Sequence, residues 1–278
     1  MILRAPAKLN LCLYLGPRRD DGLHELCSLT QSLTLADTVS IAESDADSVV
    51  CPGIDGTNLA WRALDGLRAR GWGRPPLRIE IEKRIPVAAG LGGGSADAAA
   101  VLRLARGEVH DLSELAAELG ADVPAQLDPG TTLMRGAGEG VEPLPAPPRY
   151  GVVLIPSRTG LATAEVYAEA DRLGLGRGRS ELDALAGRLR EAAEGGASPL
   201  SYAELLANDL QHAALSLRPE VREALDALEE VGAARALVTG SGPTAFGLFD
   251  AFATAERAAE ALSPRFADAL VAAPDEGR

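Results

Sequence analysis

Glycine is concentrated in one segment, Gly90-Leu91-Gly92-Gly93-Gly94-Ser95-Ala96-Asp97, which runs into an apolar, alanine-rich stretch at residues 98–104. A loop with so few side chains exposes backbone N–H groups, and a helix that begins at its end adds the positive end of a dipole. Both features attract phosphate. Ser95 lies at the expected N-cap or first turn, where its hydroxyl can bond a backbone N–H or a phosphate oxygen. The segment therefore indicates a phosphate-binding loop, with a flexible turn as the simpler alternative.

Two common phosphate-binding loops do not account for this segment. A P-loop ends in Gly-Lys-Ser or Gly-Lys-Thr, whereas this loop has no lysine and Lys83 precedes it. The dinucleotide fingerprint matches only at Gly90 and Gly92, since Ser95 stands where its third glycine belongs. Residues 77–82 alternate apolar and charged, which predicts a half-buried strand before the loop. A P-loop is excluded, and a Rossmann loop is the weaker alternative.

Two lysines stand out in a chain whose other basic side chains, histidine aside, are all arginine: Lys8 and Lys83. Lysine places a compact point charge where a guanidinium is too bulky, so these positions suggest a function, with chance retention as the alternative. Apolar residues occupy every second position from 7 to 15, which predicts a strand with Lys8 and Asn10 on its opposite face. We therefore expect these two side chains to point the same way.

Composition restricts the classes of function. The 278 residues carry a net charge of −13 and are 46% hydrophobic, so we expect a folded protein without a general nucleic-acid surface. No apolar run reaches the roughly 20 residues of a membrane span, and the N-terminus lacks a signal peptide's apolar region, so we expect a cytoplasmic protein. Three cysteines without Cys-x-x-Cys spacing and three dispersed histidines predict buried thiols and no metal site.

The pattern of elements predicts two domains, residues 1–147 and 148–278, because the proline-rich stretch at 143–148 suits neither a helix nor a central strand. The first domain is strand-rich, with extended stretches near 26–35 and 38–42 and helices near 59–70, after the glycine loop and near 113–119. The second has predicted strands at 151–155, 236–238, 245–249 and 267–272, and helices at 163–173, 182–193, 202–214, 219–231 and 254–262. Residues 174–179 and 194–198 are predicted loops. This order is typical of a ferredoxin-like α+β layer.

Three motifs stand in one order along the chain: Pro6-Ala7-Lys8-Leu9-Asn10-Leu11, Pro86-x-x-x-Gly90-Leu91-Gly92-Gly93-Gly94-Ser95 and Thr239-Gly240-Ser241-Gly242-Pro243-Thr244. Together they resemble the GHMP small-molecule kinase superfamily, over most of the chain, although the last motif alone would be only a hairpin turn. The resemblance implies a two-layer α+β fold, with the active site in a cleft between a strand-rich nucleotide-binding domain and the ferredoxin-like domain. It also implies ATP, bound by the glycine loop, and Mg²⁺, held largely by phosphates and water.

Further motifs refine the resemblance: Asp21-Gly22-Leu23-His24-Glu25, Leu119-Gly120-Ala121-Asp122-Val123-Pro124 and Gly138-Glu139-Gly140-Val141. They are similar to the branch of the superfamily that phosphorylates one hydroxyl of a cytidine-diphosphate-linked polyol in the non-mevalonate route to isoprenoids. The resemblance implies two catalytic residues, Lys8 and Asp122. Asp122 would accept the hydroxyl proton, while Lys8 would hold that aspartate and offset negative charge. Without the resemblance, Asp122 before a proline would be interpreted as a helix N-cap.

The resemblance also implies binding residues. Those for the substrate are Asn10, Leu23, His24, Tyr167, Gly240 and Ser241. Leu23 stands where the branch has an aromatic ring that stacks on cytosine, so the stacking surface is altered. Those for the nucleotide are Val87, Ala88, Ala89, Gly90, Leu91, Gly92, Gly93, Gly94, Ser95, Ala96, Asp97, Asn58 and Lys83.

The alternatives for the function are another GHMP kinase, for homoserine, mevalonate or a sugar, and a nucleotide-binding module without catalysis. We expect a monomer or a weak homodimer that acts on a small molecule, with no nucleic-acid or membrane partner.

Overall fold

The computed structural model describes residues 1–54, 58–157 and 159–275. Seven strands form the first sheet: β1 (Ile2–Asn10), β2 (Tyr14–Arg18), β3 (His24–Glu43), β4 (Ser48–Val50), β5 (Leu77–Glu82), β6 (Thr131–Gly136) and β7 (Gly140–Leu144). The 20-residue strand β3 organises this sheet, because it pairs antiparallel with β1, β2, β5 and β6. The two extended stretches predicted near 26–35 and 38–42 are therefore one continuous strand.

The apolar alternation at residues 7–15 predicted one strand, but in the structure this stretch is divided between two strands. β1 ends at Asn10 and β2 begins only at Tyr14. Between them the Leu13 N–H donates to the Ala207 carbonyl, and the Leu13 carbonyl accepts from the Asp209 N–H, both at 2.9 Å. This stretch leaves the first sheet because it pairs with a distant part of the chain.

Four helices pack on the first sheet: α1 (Leu59–Ala69), α2 (Gly93–Arg103), α3 (Leu112–Leu119) and α4 (Val123–Leu127). Helix α2 follows the glycine loop, and its residues 96–102 are all buried, including Ala96, Ala98, Ala99 and Ala100. Small side chains let this helix approach β1 closely. The sheet and the loop are thus fixed to each other by packing along α2.

The second sheet contains β8 (Gly151–Ile155), β9 (Arg235–Val238), β10 (Ala245–Phe249) and β11 (Leu270–Ala272), in the antiparallel order β11-β8-β10-β9. Helices α5 (Thr163–Leu173), α6 (Arg179–Ala193), α7 (Gln211–Leu217) and α8 (Val221–Glu230) lie between β8 and β9, and α9 (Phe252–Leu262) lies between β10 and β11. This is the strand order of a ferredoxin-like sheet, so the predicted α+β class is confirmed.

One predicted helix, 202–214, is wrong. Residues 199–205 form a 3₁₀ helix and α7 begins only at Gln211. The side chain of Asn208 donates to the Val238 and Gly240 carbonyls and accepts from the Leu210 N–H, so it competes with helical hydrogen bonds. Two predicted loops are also shorter than expected, since α6 begins at Arg179 and residues 194–196 form another 3₁₀ helix.

The two sheets share one apolar core. It joins Leu9 and Leu29 of the first sheet to Val152, Leu154 and Phe246 of the second. The predicted division at residues 147 and 148 lies between β7 and β8 and stays a prediction. The three cysteines are buried free thiols, as predicted. Among the described residues, no helix combines the length and apolar character that a membrane span requires.

A buried ion cluster fixes the start of the glycine loop. The Lys83 ammonium donates to Asp37 of β3 and, at 2.8 Å, to Asp97 of α2. The other oxygen of Asp37 accepts from the backbone N–H groups of Arg84 and Ile85 at 2.6 and 2.8 Å. Asp37 is fully buried and Asp97 is nearly so. The cluster thus ties together β3, the segment that follows β5, and the helix that carries the loop.

Asp97 makes stability depend on pH. Burial raises the pKa of its carboxyl to about 7, and Asp37 beside it adds repulsion. The folded chain therefore keeps a proton that the unfolded chain releases near pH 4, so the free energy of unfolding falls as pH rises from about 4 to about 7. The steepest contribution of one such group is about 1.4 kcal/mol per pH unit. We expect Asp97→Asn, which has no proton to lose, to flatten this dependence.

Urea unfolding of the wild type and the variant across this window measures the effect. Asp128→Asn is the control, because Asp128 is an exposed carboxylate paired with Arg106, and it should leave the slope unchanged. Equal slopes for Asp97→Asn and the wild type would contradict the assignment of the proton to Asp97.

Candidate active site

A cavity of about 740 Å³ lies between the two sheets. Residues from both halves of the chain line it, so neither half forms the site alone. Its wall includes every predicted catalytic and substrate-binding residue: Lys8, Asn10, Leu23, His24, Asp122, Tyr167, Gly240 and Ser241. The glycine loop contributes Gly90, Gly92 and Ser95.

Lys8 is the centre of a polar chain in this cavity. Its ammonium donates to Asn10 Oδ1 at 2.5 Å and lies 3.2 Å from Asp122 Oδ2. The Asn10 amide in turn donates to Ser28 Oγ at 2.8 Å, and Ser28 donates to the Cys12 carbonyl at 2.6 Å. Lys8 and Asn10 point the same way, as the alternation in β1 predicted. The chain of hydrogen bonds fixes the ammonium, since every acceptor in it is itself held.

The side chain of Asp122 is directed at Lys8 instead of at its own helix. Asp122 directly precedes α4 but forms no side-chain capping hydrogen bond, so the N-cap interpretation is wrong. About a third of its carboxylate is exposed, whereas the Lys8 side chain is nearly buried. The carboxylate is therefore accessible from the cavity while a buried cation holds it in place.

Three glycines allow the backbone to crowd around Lys8 and Asn10. Gly90, Gly92 and Gly240 have φ angles of +75°, +67° and +56°, a region that favours glycine. A Cβ at Gly92 would lie 2.7 Å from Lys8 Cγ, and one at Gly240 would lie 3.0 Å from Asn10 Oδ1. A Cβ at Gly90 would lie 2.7 Å from the Gly242 carbonyl oxygen. The two glycine motifs thus approach each other through backbone atoms alone.

The third motif is both a turn and a part of the site. It connects the antiparallel strands β9 and β10, as its hairpin interpretation requires. Thr239 Oγ1 accepts from the Asn10 N–H at 2.9 Å, and the hydroxyls of Ser241 and Thr163 lie 3.1 Å apart. The Asn208 amide supports the turn by donating to the Gly240 carbonyl at 2.8 Å. The contact of Thr239 with Asn10 joins the turn after β9 to the end of β1, two residues from Lys8.

The far end of the cavity contains a histidine, a tyrosine and an aspartate. His24 begins β3 and is buried, although it directly follows the turn at residues 21–23. Its Nε2 lies 2.7 Å from Asp171 Oδ1, and its ring centroid lies 5.3 Å from that of Tyr167 at an interplanar angle of 39°. Burial raises the pKa of Tyr167 to about 12, so its phenol is neutral. Leu23 is 55% exposed beside them.

The glycine loop also borders a second cavity of about 270 Å³. Its wall contains Ile54, Leu59, Lys83 and the segment 86–95, and it shares Gly90, Gly92 and Ser95 with the larger cavity. Helix α2 begins at Gly93, which puts Ser95 in its first turn as expected. A nucleotide with its base here and its phosphates on the loop would reach the larger cavity.

Some predicted nucleotide residues have other contacts. The Asn58 side chain caps α1 by accepting from the Trp61 N–H at 2.8 Å, and Asn58 is absent from the described wall of this cavity. Leu91 and Ala96 are buried in apolar surroundings. Lys83 and Asp97 are paired with each other. Direct contact of these side chains with a nucleotide stays a prediction.

The sequence interpretation missed several polar residues of the cavity wall, among them Arg18, Ser28, Thr163 and Asp171. Asp171 lies four positions after Tyr167 on α5, a spacing that places both on one helix face. Gln126, four positions after Asp122, lies outside the cavity wall but close to the glycine loop, since a Cβ at Gly92 would be 3.4 Å from its amide nitrogen. It is buried, and neither polar atom of its side-chain amide has a hydrogen-bond partner in the described structure. Helical spacing from an already predicted residue was the available signal for Asp171 and Gln126.

Comparisons with known proteins agree with this geometry. The family model for the GHMP kinase N-terminal domain matches residues 58–130, and that for the GHMP kinase C-terminal domain matches residues 182–268. A crystal structure of 4-(cytidine 5'-diphospho)-2C-methyl-D-erythritol kinase has 35% identity and a TM-score of 0.81, with all of both chains covered. Homoserine kinase from Cytophaga hutchinsonii shares the fold, with 18% identity, a TM-score of 0.72 and coverage of 99% of this chain and 94% of its own.

Sequence relatives are closer still. The 4-diphosphocytidyl-2-C-methyl-D-erythritol kinase of Rhodococcus jostii is 41% identical over 260 residues, which cover 88% of this chain and 82% of that protein. The enzyme of the same name from Mycolicibacterium gilvum is 44% identical over 263 residues, covering 87% and 80%. The chain therefore belongs to the GHMP kinases and, within them, to the 4-diphosphocytidyl-2-C-methyl-D-erythritol kinase family.

Proposed function

We propose that this kinase transfers the γ-phosphoryl group of ATP to a hydroxyl of 4-diphosphocytidyl-2-C-methyl-D-erythritol, which yields the 2-phosphate and ADP in the non-mevalonate route to isoprenoid precursors. One observation carries the proposal: a single cavity holds the Lys8–Asp122 pair beside the glycine loop and the His24–Tyr167 pair at its other end. Such a cavity accommodates a polyol at one end and a nucleotide base at the other.

Asp122 and Lys8 supply the chemistry at the acceptor hydroxyl. Phosphoryl transfer has a loose transition state, so the protein mainly aligns the hydroxyl and stabilises negative charge. The partly exposed Asp122 carboxylate accepts the hydroxyl proton, and the Lys8 ammonium, 3.2 Å away, holds that carboxylate and offsets charge on the attacking oxygen. Asn10 accepts from Lys8 and lies on the same face of β1, where it contacts the polyol or the transferred phosphate.

The glycine loop binds the phosphates of ATP. Its backbone N–H groups and the N-terminus of the 11-residue helix α2 attract anionic oxygens. The smaller cavity, with Leu59 and the segment 87–89, receives the adenine. Ser95 and Asp122 place side-chain oxygen atoms on the cavity wall, and oxygen is the ligand atom that Mg²⁺ prefers. When bound, Mg²⁺ neutralises phosphate charge, and the phosphates and water supply most of its ligands.

The cytidine end is formed by His24 and Tyr167. The tyrosine ring offers a flat apolar surface for stacking, and His24 offers a hydrogen bond to the base edge. Leu23 covers the base with an aliphatic side chain, which packs without an aromatic ring's geometric preference. The relatives at about 40% identity favour this substrate over homoserine or mevalonate, whose kinases share the fold at 13–23% identity.

Asp122→Asn should abolish most of the turnover while nucleotide binding remains. The amide keeps the shape of the side chain but does not accept the hydroxyl proton, and general-base catalysis is worth about 10²–10⁴ in rate. ADP release with the polyol substrate measures turnover, and ATP titration measures binding. Asp128→Asn is the matched control, because it removes an exposed carboxylate at the other end of α4. Turnover within a few-fold of wild type would remove Asp122 from the mechanism.

Gly92→Ala should inactivate the enzyme more than its loss of stability explains. The alanine Cβ would lie 2.7 Å from Lys8 Cγ, so the loop or the lysine must move. Gly107→Ala is the control, since Gly107 also has a positive φ, +80°, but no atom within 4 Å of the added Cβ. Both variants carry a similar backbone strain of about 1 kcal/mol, whereas only Gly92→Ala disturbs Lys8.

We expect Gly92→Ala to lower kcat/KM by at least about tenfold more than Gly107→Ala, measured by ADP release alongside thermal unfolding of both proteins. Similar losses in the two variants would show that the close approach of Gly92 to Lys8 is unimportant for the reaction.

A further inference from the structure

Helix α5 directs three polar side chains along the cavity. Thr163, Tyr167 and Asp171 are spaced by four residues and all line the wall. Thr163 contacts Ser241 of the turn between β9 and β10, and Tyr167 and Asp171 both contact His24. Because a spacing of four places residues on one helix face, one helix positions the groups from the polyol end to the base end.

The contact between Asp171 and His24 determines which imidazole nitrogen carries a proton. An ionised carboxylate only accepts hydrogen bonds, so the His24 Nε2 at 2.7 Å from Asp171 Oδ1 must be the protonated nitrogen. Within the described structure, Nδ1 of His24 has no hydrogen-bond partner. In the neutral ring Nδ1 is therefore an unused acceptor, on a residue that lines the cavity.

We propose that Asp171 is a positioning residue that makes His24 a hydrogen-bond acceptor, so that the site selects a pyrimidine with an exocyclic amine over one with a carbonyl at that position. This inference rests on the proposed function, because it concerns the base of the nucleotide-linked substrate. An exocyclic amine donates a hydrogen bond to Nδ1. A carbonyl oxygen at the same position is also an acceptor, so it forms no hydrogen bond with Nδ1 and repels it. The selected base is cytosine, and the rejected base is uracil.

Neither Leu23 nor Tyr167, the two proposed base contacts beside His24, makes this distinction. Leu23 has no polar atom, and the face of Tyr167 stacks on either pyrimidine. A site with a fixed acceptor rejects a mismatched base strongly, because the buried polar groups are then left unpaired. Base selection at this end of the cavity therefore depends on the protonation pattern of His24, which Asp171 sets.

The discrimination between cytidine- and uridine-diphosphate-linked methylerythritol measures this role. Asp171→Ala removes the acceptor at Nε2, and Asp171→Asn keeps an acceptor oxygen without the charge. Glu165→Ala is the matched control, since it removes an exposed carboxylate from the same helix outside the cavity. We expect Asp171→Ala to lower the ratio of kcat/KM for the cytidine substrate to kcat/KM for the uridine substrate by about tenfold. Asp171→Asn should retain most of this ratio. Both variants should leave the KM for ATP unchanged.

Nitrogen-15 NMR of the imidazoles provides a readout that a merely structural role would not change. The chain has only three histidines, so a His24→Gln variant assigns the His24 signals. Wild-type His24 should carry its proton on Nε2, and Asp171→Ala should show a mixture of the two tautomers. Unchanged discrimination with an unchanged tautomer in a folded Asp171→Ala would overturn this inference while leaving the kinase proposal intact. A wild-type enzyme that phosphorylates neither nucleotide-linked polyol would overturn the proposed function, and this inference with it.

Discussion

The site depends first on the burial of Lys83 between the carboxyl groups of Asp37 and Asp97. Removing charged groups from water is costly, and hydrogen bonds offset the cost, since Asp37 accepts three and Asp97 accepts one. The same bonds fix the relative positions of β3, α2 and the segment that leads into the glycine loop. In the glycine loop, the Leu91 carbonyl accepts a hydrogen bond of 2.9 Å from the backbone N–H of Lys8. A charge cluster outside the main cavity thus helps to set the distance between the glycine loop and Lys8, the proposed catalytic lysine.

Around Lys8 the two halves of the chain meet through backbone atoms. Gly90 lies against the Gly242 backbone, where a Cβ would come within 2.7 Å of the carbonyl oxygen, and Gly240 lies against the Asn10 side chain, where a Cβ would come within 3.0 Å of Oδ1. Backbone contacts of this kind tolerate little displacement, because protein interiors are packed as densely as crystals of small molecules. These contacts hold the glycine loop and the turn at Gly240 in a fixed relation around Lys8, as the proposed in-line phosphoryl transfer requires. Glycine is needed at these positions for proximity as much as for its φ angles.

Local patterns in the sequence predicted the parts of the site that depend on local geometry. The alternation in β1 placed Lys8 and Asn10 on one face, and the glycine run located the start of α2. Contacts between distant residues were not predictable in this way. The extended stretch around Asn208, which pairs with Leu13, appeared helical because its partners lie about 200 and 30 residues away. The ion cluster was not predicted for the same reason, because no helical or strand spacing relates Asp37, Lys83 and Asp97 in the sequence.

The proposed base-binding end of the cavity, unlike the glycine loop, is built from both halves of the chain. His24 belongs to the first sheet, and its two partners, Tyr167 and Asp171, belong to helix α5 of the second half. The same helix contacts the turn at residues 240–243 through Thr163, so one helix connects the proposed base-binding groups to the backbone that crowds Asn10. With Leu23 in the aromatic position, a base bound as proposed would meet an aromatic ring on one face only. Under this proposal, hydrogen bonding at His24 carries a larger share of base recognition than in a site that stacks the base between two aromatic rings.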